Sequence, residues 1–148
     1  MLDRTLPINR QQVEKYLPHR DPFLFIDRVT ALGETVIVAE SFVDPEMDVF
    51  KGHFPDMPIM PGVLLIETVA QAGALIIAMN KDTEAGSLTA FSGVESAKFR
   101  RPVYPGDKLV VKAEIIRSRA GFYKFSGSAY VGDQIVVELK FAATQMSV

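Results

Sequence analysis

The stretch "PGVLLIETVAQAGALIIAMN", from Pro61 to Asn80, constrains the fold more than any other part of the chain. Pro61 fits the first turn of a helix, and the residues that follow predict one long helix. Only Glu67, Thr68 and Gln71 break its apolar surface. A helix that is apolar nearly all round has to be surrounded, either by lipid or by the rest of a fold. Val63 to Met79 is only just long enough to cross hydrocarbon, and a central carboxylate adds about 2.5 to 3.5 kcal/mol to insertion. The flanks carry no anchoring belt of aromatic residues, so a protein surround is expected and no membrane.

The remaining segments supply that surround. "INRQQVEKYLP" places Ile8, Val13, Tyr16 and Leu17 on one side behind a capping Asn9, which predicts a short amphipathic helix before Pro18. "FLFIDRVTAL" and "TVIVAESFV" read as two strands with a turn at Gly33 and Glu34. "LTAFSGVESAKFR", "KLVVKAEIIRSR", "YKFSGSAYV" and "QIVVELKFAATQM" read as four more, punctuated by "RPVYPGDK", "RAGF" and "VGDQ". An antiparallel sheet wrapped around one central helix satisfies this order, and the sheet's other face and edges suggest a second copy.

Size and charge narrow the function classes. The 148 residues fit one domain, taken here as 1–148, with a core that needs no covalent staples. A formal charge of -2 gives no global field for nucleic acid or an acidic membrane surface. Cysteine is absent, which removes disulfides, thiolate metal sites and thiol nucleophiles and fits a reducing compartment. The segment "MLDRTLPINRQQVEKY" has no apolar run of secretory length, so a cytoplasmic location is expected.

Chemistry is concentrated around "GHFPDMPIMPG". Pro55, Pro58 and Pro61 exclude helix and central strand, leaving a stiff, irregular connection that carries His53, one of only two histidines. Glu67 follows inside the long helix, and Gln71 lies one turn further on the same face, within reach of the carboxylate. A histidine base, a carboxyl acid and the free amides near Gly62 and Val63 form a set able to move protons beside a polarised carbonyl. Bland readings stand beside this one. His53 fits a hydrogen-bonded loop residue, Glu67 fits a buried ion-pair partner, and the prolines fit a simple stiffener.

"LPHRDPFLFIDRV", "GHFPDMPIMPGVLLIETVAQAG", "FRRPVYPGDKL" and "YKFSGSAYVGDQIV" together resemble, in order and spacing, the beta-hydroxyacyl-acyl carrier protein dehydratases of the FabZ type. The resemblance covers about Leu17 to Ala143 and implies an α+β hotdog fold. It also implies pairing of two copies into a homodimer and of three dimers into a hexamer. It assigns His53 and Glu67 as the catalytic pair, each active site combining one subunit's histidine with its partner's carboxylate. Gly62 matches the glycine whose amide faces the thioester carbonyl, with Val63 beside it, and Gln71 matches the glutamine after the carboxylate.

The activity implied is removal of water from a (3R)-hydroxyacyl thioester to give a trans-2-enoyl thioester in fatty acid biosynthesis. No metal or redox cofactor is expected. The substrate would ride on the phosphopantetheine arm of acyl carrier protein, and Lys98, Arg100 and Arg101, with Lys108 nearby, are the candidate basic patch for that acidic partner. Leu64, Ile66 and Val69 are candidates for the acyl tunnel, although each also suits the core. His19 in "LPHRDPF" matches a family signature and is expected to have a structural hydrogen-bonding role.

Three rivals remain. The related isomerising branch carries aspartate where Glu67 stands. A hotdog acyl-thioesterase would need a water activated near the carbonyl, and a non-catalytic acyl-binding protein would not need the pair. The wording of "VDPEMDVFK" departs from the Asn-rich form of typical members, which suggests a paralogue serving a specialised lipid or polyene pathway.

Overall fold

A computed structural model describes residues 5–81 and 87–147. The two ends of the expected 1–148 domain, including the first four residues of the N-terminal segment, and the link out of the long helix lie outside the described residues. The elements run in the order α1 (Arg10–Val13), β1 (Arg28–Leu32), β2 (Val36–Phe42), a 3₁₀ turn (Asp48–Lys51), α2 (Gly62–Lys81), β3 (Ser87–Phe99), β4 (Lys108–Arg119), β5 (Phe122–Val131) and β6 (Gln134–Ser147). The six strands form one antiparallel sheet in the order β1-β2-β4-β5-β6-β3. Its inner face wraps α2, which packs on β4, β2 and β5.

Alternation decides which side chains meet the helix. In β4, Leu109, Val111 and Ala113 are buried while Lys108, Lys112 and Glu114 stand on the outer face. In β5 the inward positions are Phe125, Gly127 and Ala129. Gly127 is required there, since a Cβ at this position would overlap the side chain of Val69 on α2. Val69 is therefore core rather than tunnel wall. Leu65, Val69, Leu75, Ile76 and Met79 of α2 are each no more than 2% exposed. Burying such side chains stabilises by roughly 1.5 to 3 kcal/mol apiece. Length and composition alone would let α2 cross a membrane, but here the sheet covers it.

Two expectations need adjustment. The pattern of "FLFIDRVTAL" predicts a strand throughout, yet β1 begins only at Arg28. Instead of pairing with a neighbouring strand, Phe25 N donates to the side-chain oxygen of Gln71, and Phe23 O accepts from its Nε2. The long helix starts at Gly62, with the carbonyl of Pro61 accepting from the amides of Leu64 and Leu65, so the proline caps the first turn rather than joining it.

At the other end, α1 keeps its predicted cap but stops at Val13, and Tyr16 and Leu17 follow it in a turn and loop. Asn9 and Gln12 form a reciprocal capping box. Ile8 then bridges Val29, which covers part of the short β1 edge. β3, at the opposite edge, is longer at 13 residues, and among the described residues its far side pairs with no strand of this chain.

Candidate active site

The proline-rich connection is closed on itself by His53 and Ile59. The carbonyl of His53 accepts from Ile59 N at 3.0 Å, and His53 Nδ1 lies 2.8 Å from Ile59 O. A carbonyl oxygen only accepts, so Nδ1 carries the hydrogen, and in the neutral ring Nε2 keeps the lone pair that a general base needs. The amide of His53 is held by Val49 O, and its ring stacks on Phe54 with centroids 4.1 Å apart. The His53–Phe54 peptide bond is cis. Because prolines have no amide hydrogen, the loop contains few donors to satisfy, and Met60 N ties its end to Val103 O.

Glu67 is fixed by a different device. Gln71 Nε2 donates to Glu67 Oε2 at 3.0 Å and to Phe23 O at 2.9 Å, while Gln71 Oε1 accepts from Phe25 N at 2.9 Å. The glutamine, 1% exposed, thus has both hydrogens and its oxygen engaged. The 17–25 segment passes over the helix as a consequence. It carries His19, whose Nε2 faces Glu67 Oε2 at 3.5 Å. Glu67 and His19 keep 19% and 23% of their side-chain surface exposed, so the carboxylate sits in a niche with one open side. Thr89, Phe91, Phe141 and Ala143 complete the wall of that niche.

At the start of α2, the geometry of a helix leaves the amides of Gly62 and Val63 without an intrahelical acceptor, beside the positive end of the helix dipole. A Cβ on Gly62 would lie 2.8 Å from the ring of Phe99, so only glycine allows this aromatic side chain to close over the helix end.

The expected residues therefore separate into two groups. Glu67 and Gln71 come together as the four-residue spacing predicts, and His19 joins them. His53 stands with Ile59, Val49 and Phe54, and among the described residues it does not line the niche of Glu67. The contact of His19 with Glu67 was missed, since 48 residues separate the two positions and nothing in the spacing joins them.

The basic patch is weaker than its sequence suggests. Arg100 Nε pairs with Glu138 at 2.8 Å, and Lys98 stands opposite the same glutamate in the β3–β6 register. Lys108 pairs with Glu40 at 3.4 Å, while Arg101 is exposed.

The comparisons with known proteins agree with one another. The FabA-like domain family matches residues 17–140. The 3-hydroxyacyl-(acyl-carrier-protein) dehydratase FabZ of Acinetobacter baylyi is 41% identical over 143 residues, covering 95% of this chain and 97% of the relative. The FabZ of Neisseria meningitidis serogroup C is 43% identical over 142 residues, with 93% of each chain covered. The chain belongs to the FabZ-type dehydratases. Membership makes it a hydro-lyase, and it places the helix inside the curved sheet within the hotdog fold. The dehydratase heterocomplex ApeI:P from Xenorhabdus doucetiae shares that fold, with a TM-score of 0.77 at 19% identity over 96% of this chain and 92% of that one.

Proposed function

We propose that the protein converts (3R)-hydroxyacyl thioesters carried by acyl carrier protein into trans-2-enoyl thioesters, and the reverse, in fatty acid biosynthesis in the cytoplasm. The observation that carries this reading is that base and acid are each made ready in one chain yet stand apart. His53 has a free Nε2, and Glu67 has one oxygen engaged and one open side. A second copy would bring them together.

The homodimer is supported by β3, whose outer edge pairs with no strand among the described residues and carries exposed Phe91, Val94 and Phe99, and by exposed Phe54 and Met57 in the His53 loop. A long apolar edge strand is a template for pairing with another chain. Assembly of three dimers into a hexamer rests on the family resemblance alone.

In the proposed reaction His53 Nε2 takes a proton from C2 and the C2–H electron pair forms the C2=C3 double bond. The amides of Gly62 and Val63 hold the charge that builds on the thioester oxygen. The C3–O bond breaks as the partner subunit's Glu67 protonates the departing hydroxyl, which leaves as water. Every electron pair is accounted for between the substrate and two side chains, so neither a metal nor a redox group is required. The acyl carrier protein would approach the exposed Lys98, Arg100 and Arg101 edge, an attraction limited by the hold of Glu138 on Arg100.

Absorbance at the enoyl thioester band tests the reading directly, using 3-hydroxybutyryl and crotonyl thioesters of acyl carrier protein. Interconversion by the wild type is expected, with His53→Ala and Glu67→Gln each lowering turnover by about 10²- to 10⁴-fold. Release of free thiol without enoyl formation would give the thioesterase reading its place.

A further inference from the structure

His19 belongs to neither of the catalytic roles, yet it is the one titratable side chain among the described residues in an ion-pair-range contact with the Glu67 carboxylate. Its Nε2 points at Glu67 Oε2 across 3.5 Å, while its Nδ1 is buried with no hydrogen-bond partner. These two facts fix the ring's proton. A hydrogen on Nδ1 would be a buried donor with nothing to bond, which carries the full cost of desolvation. A hydrogen on Nε2 has an acceptor in front of it, so the neutral ring with hydrogen on Nε2 is the form that the surroundings favour.

Gln71 donates to the same oxygen at 3.0 Å. The hydrogen bond of Gln71 and the longer 3.5 Å contact of His19 thus converge on Oε2, while Oε1 has no hydrogen-bond partner among the described residues. A transferable proton is then confined to Oε1. We infer that His19 is a positioning residue for Glu67, which together with Gln71 reserves Oε2 as acceptor and leaves Oε1 as the one oxygen that exchanges a proton with the substrate's 3-hydroxyl. The inference rests on the proposed role of Glu67 as the acid.

The arrangement also accounts for the path of the 17–25 segment. Gln71 holds the backbone at Phe23 and Phe25, and that hold brings His19 over the carboxylate. A single buried glutamine therefore sets two donors on one oxygen.

The test compares the full-length wild type with His19→Gln, His19→Leu and Glu67→Gln on 3-hydroxybutyryl-acyl carrier protein. Glutamine keeps a neutral N–H at similar reach, whereas leucine has none. The leucine variant should lose about 10- to 100-fold in kcat with KM changed less than twofold, since misplacement of a reacting group is felt in the chemical step. The glutamine variant should recover to within about fivefold of wild type, a difference read on the same kcat scale.

Wild-type kcat in the leucine variant, equal losses in both variants, or a loss confined to KM would each overturn the inference. Activity surviving in Glu67→Gln would instead overturn the acid role itself, so the two failures are distinguishable. Nitrogen-15 NMR of the unmodified protein adds a test independent of folding in the variants. His19 must show a hydrogen on Nε2 and a bare Nδ1, and the opposite tautomer or a doubly protonated ring would refute the inference.

Discussion

His53 and Glu67 are held by opposite means. The loop of His53 is closed by contacts between residues six positions apart, within a segment already stiffened by three prolines. The carboxylate of Glu67 depends on Gln71, and Gln71 depends on backbone groups 46 and 48 residues away in another part of the chain. One half of the proposed chemistry is thus locally encoded and the other exists only once the sheet and its leading segment have folded. The difference teaches where damage should spread. Losing the bonds between His53 and Ile59 should disturb activity first, whereas a change in the clamp should disturb stability and activity together.

The sharpest way to break this comparison is to separate the halves onto different subunits. If each site pairs the histidine of one copy with the carboxylate of the other, His53→Ala and Glu67→Gln proteins are each inactive alone. Mixed dimers then contain one intact site. Random re-pairing gives about half mixed dimers and so about a quarter of wild-type activity. A mixture that stays as inactive as its components would mean that each site is built within one chain, and the proposed dimer site would be wrong.

The next largest effect falls on stability. Gln71→Ala strips hydrogen bonds from Phe25 N, Phe23 O and Glu67. Each buried group left unsatisfied costs about 1 to 3 kcal/mol, so the urea midpoint should fall clearly while activity drops as well. An unchanged midpoint would show that the 17–25 segment holds its path without the clamp.

The same division explains what the sequence made legible. β4 matched its expected bounds because alternation of Leu109, Val111 and Ala113 with lysines is a local signal. Glu67 and Gln71 were paired in advance because residues four apart share a helix face. The late start of β1 was not legible, since nothing in "FLFID" announces that a distant glutamine will take its backbone bonds. Arg100 is a candidate contact for an acidic partner, yet pairing of β3 with β6 brings Glu138 to it from 38 residues away. The position of His19 escaped for that reason too. Local periodicity carried the fold, but side-chain contacts across the chain decided how the site is arranged.

The smallest effect belongs to the loop. Pro55 is exposed, and replacing it with alanine removes no contact that holds His53, since the ring and carbonyl of that residue are both tied to Ile59. The loss is then one of chain stiffness, worth about 0.4 to 1 kcal/mol through the freer unfolded state. Pro55→Ala should therefore lower the urea midpoint slightly and leave kcat close to wild type. A collapse of kcat at nearly full stability would show that proline stiffness, and not the two-way bond with Ile59, keeps the base in place. The locally encoded half would then be as dependent on one residue as Glu67 is on Gln71.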